Sequence, residues 1–193
     1  KYTSIFPSVV VIDGQGIVRF RPRKFDSEIL ESIMTNSLKP YKSLPEPQNA
    51  DEWVKRGELL AKNENYEEAV DAYDKCLNIN NKFYKAIVGR GDAYKEMLIR
   101  ESAYEDYSSA LELNPSDIGV YYKRAELLSQ MHQFTKMIAD YNKIIEIDSK
   151  SIKAYLYRGN YYFSNIQLDL AVADYTKVIE INNKEPEAFI KRG

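Results

Sequence analysis

Along residues 50–193, apolar residues recur at helical spacing between polar ones, and the whole pattern returns every 34 residues. The clearest marker is an arginine followed by a small residue, found at Arg56, Arg90, Arg124, Arg158 and Arg192. A constant period of this length predicts an array of repeated supersecondary units rather than one globular core.

We number the places of each repeat from Ala50, Tyr84, Ile118 and Ile152. Large residues recur at places 4, 11 and 24, and small ones at places 8 and 20, except for Met137 at place 20 of the third repeat. These spacings predict two antiparallel amphipathic helices per repeat, whose backbones approach each other at the small places. We expect Met137 to loosen or shift the third helix pair. Place 4 holds Trp53, Ile87, Tyr121 and Tyr155; place 8 holds Gly57, Gly91, Ala125 and Gly159; place 24 holds Tyr73, Tyr107, Tyr141 and Tyr175.

Turn and capping residues agree with this division. Asn65 followed by Glu68 predicts a capping box at the second helix of the first repeat. Pro186 suits the first turn of a further helix. The repeats end in residues that favour helix stops: Asn80, Asn114, Asp148 and Asn182.

The first 49 residues follow another pattern. Val9 to Ile12 is an apolar, β-branched run typical of a buried strand, and Ile17 to Arg21 alternates like a second strand after the turn residues 13–16. Residues 25–38 have a helical spacing of Ile29, Leu30 and Ile33. Residues 40–49 contain three prolines and predict a stiff linker. The predicted division is therefore 1–39, 40–49 and 50–193.

Charge and composition narrow the function only slightly. The net charge is −2, and residues 1–49 hold seven Lys and Arg and five Asp and Glu, against 20 and 24 in the remainder. The one basic cluster, Arg19 to Lys24, could contact phosphates, but the acidic repeats argue against nucleic-acid binding. No apolar run is long enough to cross a bilayer.

Candidate catalytic groups are few. His132, the one histidine, falls at the turn inside the third repeat, where a solvated side chain is expected rather than a base or ligand. Cys76, the one cysteine, occupies a small core place. Residues 14–16 are too short for a phosphate-binding loop. We therefore expect no catalysis, cofactor or metal in this chain.

The period, the small places and the aromatic places together resemble the tetratricopeptide repeat family over residues 50–193. The resemblance implies a mainly all-α solenoid of helix pairs, with repeats at 50–83, 84–117, 118–151 and 152–185 and a fifth beginning at 186–193. It also implies a role in holding peptides or partner proteins. We expect the recurrent arginines to reach Asp74, Asp106, Asp140 and Asp174, as a structural feature.

In this family the first helix of each pair lines a concave groove, at places 2, 5, 6, 9, 12 and 13. The resemblance thus implies a groove formed by Val54, Glu58, Lys85, Val88, Asp92, Lys95, Tyr122, Lys123, Glu126, Lys153, Leu156, Asn160 and Phe163. Lys85, Lys123 and Lys153 could clamp an acidic tail, but acids stand where the clamp needs asparagines. The residues at place 5 are apolar and stand beside Glu58, Asp92 and Glu126. This combination favours instead, as the ligand, an extended segment with apolar anchors and some Lys or Arg. The alternative is that these carboxylates only solvate the surface.

Strand, turn, strand and helix after Pro7 resemble the last third of a thioredoxin-like domain, over about residues 3–38. In that family the proline is cis and lies beside the redox site, whereas the Cys-x-x-Cys motif is not in this chain. One alternative is therefore a redox protein whose catalytic half lies upstream of Lys1, in a secretory or periplasmic compartment as readily as a cytoplasmic one. The other is that this piece caps the first repeat.

Overall fold

The computed structural model describes residues 9–13, 16–20 and 45–192. Residues 45–192 form nine helices joined by short turns, and none of these helices is long and apolar enough to span a bilayer. The helices are α1 (Ala50–Lys62), α2 (Tyr66–Ile79), α3 (Tyr84–Glu96), α4 (Arg100–Leu113), α5 (Ile118–Gln130), α6 (Phe134–Ile147), α7 (Ile152–Ser164), α8 (Leu168–Ile181) and α9 (Pro186–Arg192).

Near the N-terminus, strand β1 (Val9–Asp13) pairs antiparallel with β2 (Gly16–Phe20). The register pairs Val9 with Phe20 and Asp13 with Gly16. The predicted helix at 25–38, the predicted cis bond at Pro7 and most of the basic cluster lie outside the described residues, as does the linker before residue 45. The assignment of this piece to a thioredoxin-like domain therefore stays a prediction.

The helices pair as the 34-residue period predicts. Helix α1 packs on α2, α3 on α4, α5 on α6 and α7 on α8, while the strong contacts between pairs run from each second helix to the next first helix. The first helices begin at residues 50, 84, 118, 152 and 186, so the spacing is constant through the array. Each helix pair packs mainly against its neighbours, as in a stacked solenoid, and the buried apolar residues form three clusters that the partly buried Leu77 and Ile145 connect.

The small places let one tyrosine per repeat fill the space between paired helices. Tyr73, Tyr107 and Tyr175 are at most 2% exposed. A Cβ atom built on Gly57 would lie 2.5 Å from Cε1 of Tyr73, and one on Gly89 would lie 2.6 Å from its Cζ. Both distances are far below van der Waals contact, so the ring of Tyr73 requires glycine at these two positions.

Three of the recurrent arginines each connect the two helices of their own repeat and also contact the preceding repeat. The Nε and Nη2 atoms donate to both carboxylate oxygens of the aspartate 16 residues on, at 2.6–2.9 Å, and these aspartates are 3–5% exposed. The pairs are Arg90–Asp106, Arg124–Asp140 and Arg158–Asp174. The third nitrogen, Nη1, donates to place 25 of the preceding repeat, which is Asp74, Ser108 or Asn142. Such bidentate pairs fix geometry, and breaking one would leave a buried charge.

This arrangement confirms the predicted arginine contacts and refines one of them. Asp74 occupies place 25 rather than place 23, so it accepts from Arg90 of the next repeat and not from the arginine of its own. In the first repeat place 23 is Ala72, and Nη1 of Arg56 donates to the carbonyl oxygen of Pro45 at 3.3 Å.

The turn inside each repeat explains why the predicted capping box is wrong. Glu64, Leu98, His132 and Ile166, all at place 15, have φ angles of 56–62°. The turn leaves Asn65 with a ψ of 68° instead of the extended backbone of an N-cap, and its side chain caps nothing. Side-chain caps form instead where Asn49 accepts from the N–H of Glu52 at 2.9 Å and Asp117 accepts from that of Val120 at 3.1 Å. The predicted stops at Asn80, Asn114, Asp148 and Asn182 are all C-caps.

Candidate functional site

The first helices of the first two repeats line a small open pocket of about 490 Å³. Its walls combine Tyr73, Tyr84 and Val88 with charged side chains of both signs. The charged residues are Glu58, Lys62, Lys85 and Asp92. We call this surface the first pocket.

A larger cleft of about 1110 Å³ lies between the third and fourth repeats. Helices α5 and α7 form its sides, and α6 contributes from below. Its apolar lining consists of Tyr122, Phe134, Met137, Tyr141, Tyr157 and Tyr161. Its polar lining includes Lys123, Glu126, Ser129, Gln130, Lys153, Asn160, Ser164 and Asn165. We call this surface the aromatic cleft.

The rings of the aromatic cleft contact one another in series. The centroid of Tyr141 lies 6.3 Å from that of Tyr122 and 5.8 Å from that of Tyr157, and both pairs are tilted. Phe134 lies 5.4 Å from Tyr161. Tilted contacts at these distances are favourable for aromatic pairs and hold the rings in place. The cleft is therefore a pre-formed aromatic surface.

Lys153 lies over two of these rings. Its Nζ atom is 4.6 Å from the centroid of Tyr122 and 5.5 Å from that of Tyr157, which is cation–π distance. Among the described residues no carboxylate lies within ion-pair distance of this ammonium. Lys153 is the second residue of α7, whose first turn has no acidic side chain.

Hydrogen bonds at place 9 connect neighbouring repeats through their first helices. Asp92 accepts from the hydroxyl of Tyr107 at 2.8 Å and from Nζ of Lys123 at 2.5 Å. Asn160 likewise accepts from the hydroxyl of Tyr175 and from Nζ of Lys191, both at 2.8 Å. In the second and fourth repeats, place 9 thus joins the tyrosine of its own repeat to a lysine at place 6 of the next repeat.

The third repeat breaks this pattern, because place 6 of the fourth repeat is Tyr157 instead of lysine. Glu126 pairs with Nζ of Lys95, at 3.0 Å, on the preceding repeat. The hydroxyl of Tyr141 makes no hydrogen bond to any described residue, although the side chain is only 6% exposed and lines the aromatic cleft. Burial, with Tyr157 and Tyr122 nearby, raises the pKa of Tyr141, so this hydroxyl is a protonated donor at neutral pH.

The ion pairs change the expected charge of the concave side. Of the three predicted carboxylates, Asp92 and Glu126 are paired with Lys123 and Lys95. Such half-exposed pairs contribute little to stability, but they cancel the field that a basic ligand would need. The predicted groove surface is therefore mixed in charge rather than acidic.

Most of the residues predicted for the groove line one of the two pockets. The first pocket contains Glu58, Lys85, Val88 and Asp92, and the aromatic cleft contains Tyr122, Lys123, Glu126, Lys153 and Asn160. The other four lie elsewhere. Val54 is 4% exposed in the core, Leu156 packs half-buried against the last core cluster, Lys95 pairs with Glu126, and Phe163 is 47% exposed.

The prediction missed much of the aromatic lining. Tyr157 stands at place 6, which the family resemblance assigns to the groove, so the sequence carried a signal for it. Phe134, Met137 and Tyr141 belong to a second helix, α6, and a rule about first helices could not find them.

The described residues offer no catalytic arrangement. They contain no group of His, Cys, Asp and Glu placed to hold a metal ion. Cys76 is fully buried, and burial together with Asp51 raises the pKa of its thiol, which makes it less reactive. The exposed His132 only contacts the edge of Phe134, with ring centroids 5.7 Å apart.

Comparison with known proteins finds family matches for two of the repeats. Residues 50–83 and 118–151 each match the tetratricopeptide repeat family. No curated protein matches the sequence. Nothing in these matches supports the predicted thioredoxin-like segment.

Several solved structures share the fold. YrrB, a TPR protein with an unusual peptide-binding site, is 20% identical with a TM-score of 0.63, and the match covers 82% of this chain and 79% of YrrB. MamA is 22% identical with a TM-score of 0.68, over 84% of this chain and 96% of MamA. A tetratricopeptide repeat protein from Parabacteroides merdae is 22% identical with a TM-score of 0.63, over 84% of this chain and 62% of that protein.

Proposed function

Because this chain carries tetratricopeptide repeats, and proteins of that kind are in general interaction scaffolds, we propose that it holds an extended segment of a partner protein along its concave side. In this proposal the chain is a binding module without catalytic activity of its own. The observation that carries the proposal is the aromatic cleft, a rigid and open surface of five aromatic rings.

The low entropy cost of burying fixed aromatic side chains favours the cleft as a binding surface. Tyrosines that are fixed by their neighbours offer large contact area at little cost in side-chain entropy, and such residues dominate binding energy at protein interfaces. Tyr157 is 46% exposed although it contacts Tyr141, so a ligand can still cover its outer face.

The shape of the ligand follows from the arrangement of the pockets. The first pocket and the aromatic cleft lie on the same series of first helices, α1, α3, α5 and α7, with the hydrogen bonds of place 9 between them. A folded domain presents few groups to so long a surface, whereas an extended chain can place successive side chains along it. YrrB, which has a similar fold, has a peptide-binding site.

A selection experiment tests this proposal. A library of displayed random 12-residue peptides is selected on the full chain, and the enriched peptides are measured by calorimetry. We expect micromolar peptides whose affinity falls at least tenfold for Tyr157→Ala, because a central aromatic anchor is lost. The control is Leu113→Ala, an exposed residue at the end of α4 that lines neither pocket, and it should bind like the wild type. An unsuccessful selection, or equal affinity for Tyr157→Ala, would reject the proposal.

A further inference from the structure

We infer that the aromatic cleft is specific for a segment in which an aromatic or large aliphatic side chain stands next to a carboxylate. This inference rests on the proposed function and adds the chemistry of the partner. Three observations support it: the charge of the cleft, the hydroxyl of Tyr141 and the place of Lys153 in its helix.

The first observation concerns charge. Three charged side chains line the aromatic cleft, and two of them are already paired, Lys123 with Asp92 and Glu126 with Lys95. The third, Lys153, has only the faces of two tyrosines as partners among the described residues. The uncompensated charge of the cleft is therefore one ammonium group. A ligand carboxylate would complement it, whereas a ligand lysine or arginine would face a like charge.

The position of Lys153 in α7 adds to this preference. The first turn of a helix carries a partial positive charge from its free N–H groups, and an acidic side chain commonly offsets it. In α7 the first turn has no acid and instead carries this lysine. Helix and side chain thus present the same sign to one end of the cleft, and an anion from a partner would satisfy both.

The hydroxyl of Tyr141 supplies a hydrogen-bond donor in the apolar part. In two other repeats the equivalent hydroxyl donates a hydrogen bond within the protein. Tyr107 donates to Asp92, and Tyr175 donates to Asn160. Tyr141 is 94% buried and lines the cleft, yet it has no hydrogen-bond partner within the described residues. Because the hydroxyl itself is not fully buried, it stays accessible and can donate to an oxygen of a bound chain.

The apolar component follows from the rings themselves. Tyr122, Tyr141 and Tyr157 form one continuous aromatic wall, and Met137 lies beside it. Other repeats have alanine at the place of Met137. A methionine side chain adapts to an inserted ring or branched chain, so the wall can take an apolar anchor. The earlier expectation of a basic ligand concerned the carboxylates at place 9, two of which are neutralised.

Matched peptides test the inference. From the tightest acidic peptide of the selection, versions with the acid changed to Asn and to Lys are synthesised, and all three are titrated by calorimetry into four proteins. The proteins are the wild type, Lys153→Gln, Tyr141→Phe and Lys136→Gln. Lys136 is the matched control, because its Nζ atom also lies over a tyrosine ring, 4.9 Å from the centroid of Tyr104, but it lines neither pocket.

We expect the acid-to-Asn change to weaken binding about fivefold in the wild type, and the Lys change to weaken it further. Lys153→Gln should weaken the acidic peptide by a similar factor and leave the Asn peptide unchanged. Tyr141→Phe should weaken all peptides about threefold to tenfold without lowering the melting temperature. Lys136→Gln should change none of these affinities.

The outcomes separate this inference from the proposed function. Concave-side peptides that show no enrichment of acids, or an acidic peptide that binds Lys153→Gln as tightly as the wild type, would overturn the inference and leave the proposed function standing. A selection that yields no concave-side peptide would overturn both. An unchanged affinity for Tyr141→Phe would remove the hydroxyl from the proposal.

Discussion

Replacing three of the four place 24 tyrosines by phenylalanine, one at a time, removes a single oxygen atom from three similar environments. Tyr107 donates to the charged Asp92, Tyr175 donates to the neutral Asn160, and Tyr141 donates to no described residue. All three side chains are at most 6% exposed. The series therefore varies the hydrogen-bond acceptor while burial stays nearly constant.

The structure gives an expected loss in the free energy of unfolding for each of the three variants. A hydrogen bond to a charged group contributes about 1.5–3 kcal/mol, and one between neutral groups about 0.5–1.5 kcal/mol. The carboxylate of Asp92 is 42% exposed and keeps Lys123 as a partner, so the low end applies and Tyr107→Phe should cost about 1.5 kcal/mol. Tyr175→Phe should cost about 1 kcal/mol. Tyr141→Phe should stay within about 0.5 kcal/mol of the wild type, since no bond is lost.

Urea unfolding of the full chain, followed by circular dichroism, measures these differences. Thermal unfolding provides a second measurement, in which a difference of 1 kcal/mol shifts the melting temperature by about 2–4 °C in a chain of this size. The reasoning depends on the order of the three variants more than on their absolute values. If Tyr141→Phe were as destabilising as Tyr107→Phe, the hydroxyl of Tyr141 would have an internal partner, and the account of the aromatic cleft would lose one of its supports.

Three further predictions concern the turn, the helix contact and one cap. Ile166, a β-branched residue with a φ of 60° and 83% exposure, should be replaceable by Asn with a gain of about 1 kcal/mol in urea unfolding; a loss would show that its side chain has a structural role. Gly57→Ala should cost about 1–3 kcal/mol, because its Cβ would lie 2.5 Å from a tyrosine ring, whereas Gly91→Ala, at 3.0 Å, should cost less; equal costs would contradict the packing argument. Although burial opposes ionisation, hydrogen bonds from the hydroxyl of Tyr84 and from backbone N–H groups lower the pKa of Asp117. Its stabilising effect is thus full above the unfolded pKa of about 3.9 and is lost as the pH falls through the folded pKa. The stability difference between wild type and Asp117→Asn should shrink below about pH 4 in acid unfolding curves, and a constant difference would refute this.

The repeats could be predicted in detail because their signal is local and recurs four times. A tyrosine at place 24 opposite a small residue at place 8 specifies how two helices meet, and this needs no knowledge of distant residues. The C-caps at Asn80 and Asn114 were predictable for the same reason. The cap at Asn65 was not, because the left-handed residue before it changes the backbone that a capping box requires.

The candidate site was harder to predict because it depends on contacts between repeats. Lys123 reaches Asp92 across 31 residues, a distance in sequence that is set by the stacking of helix pairs. Counting carboxylates at place 9 therefore overstated the acidity of the concave side. The contribution of α6 was missed for a similar reason, since only the packed solenoid brings Tyr141 to the floor of a cleft formed by two other helices.

The ion pairs between neighbouring repeats also bear on how the array responds to salt. Lys123–Asp92 and Lys95–Glu126 join neighbouring repeats through partly exposed side chains, whereas the arginine pairs end on aspartates that are 3–5% exposed. Salt weakens the half-exposed pairs much more than the buried ones. We therefore expect higher ionic strength to loosen these contacts between neighbouring repeats while the arginine pairs stay closed and the helices stay folded.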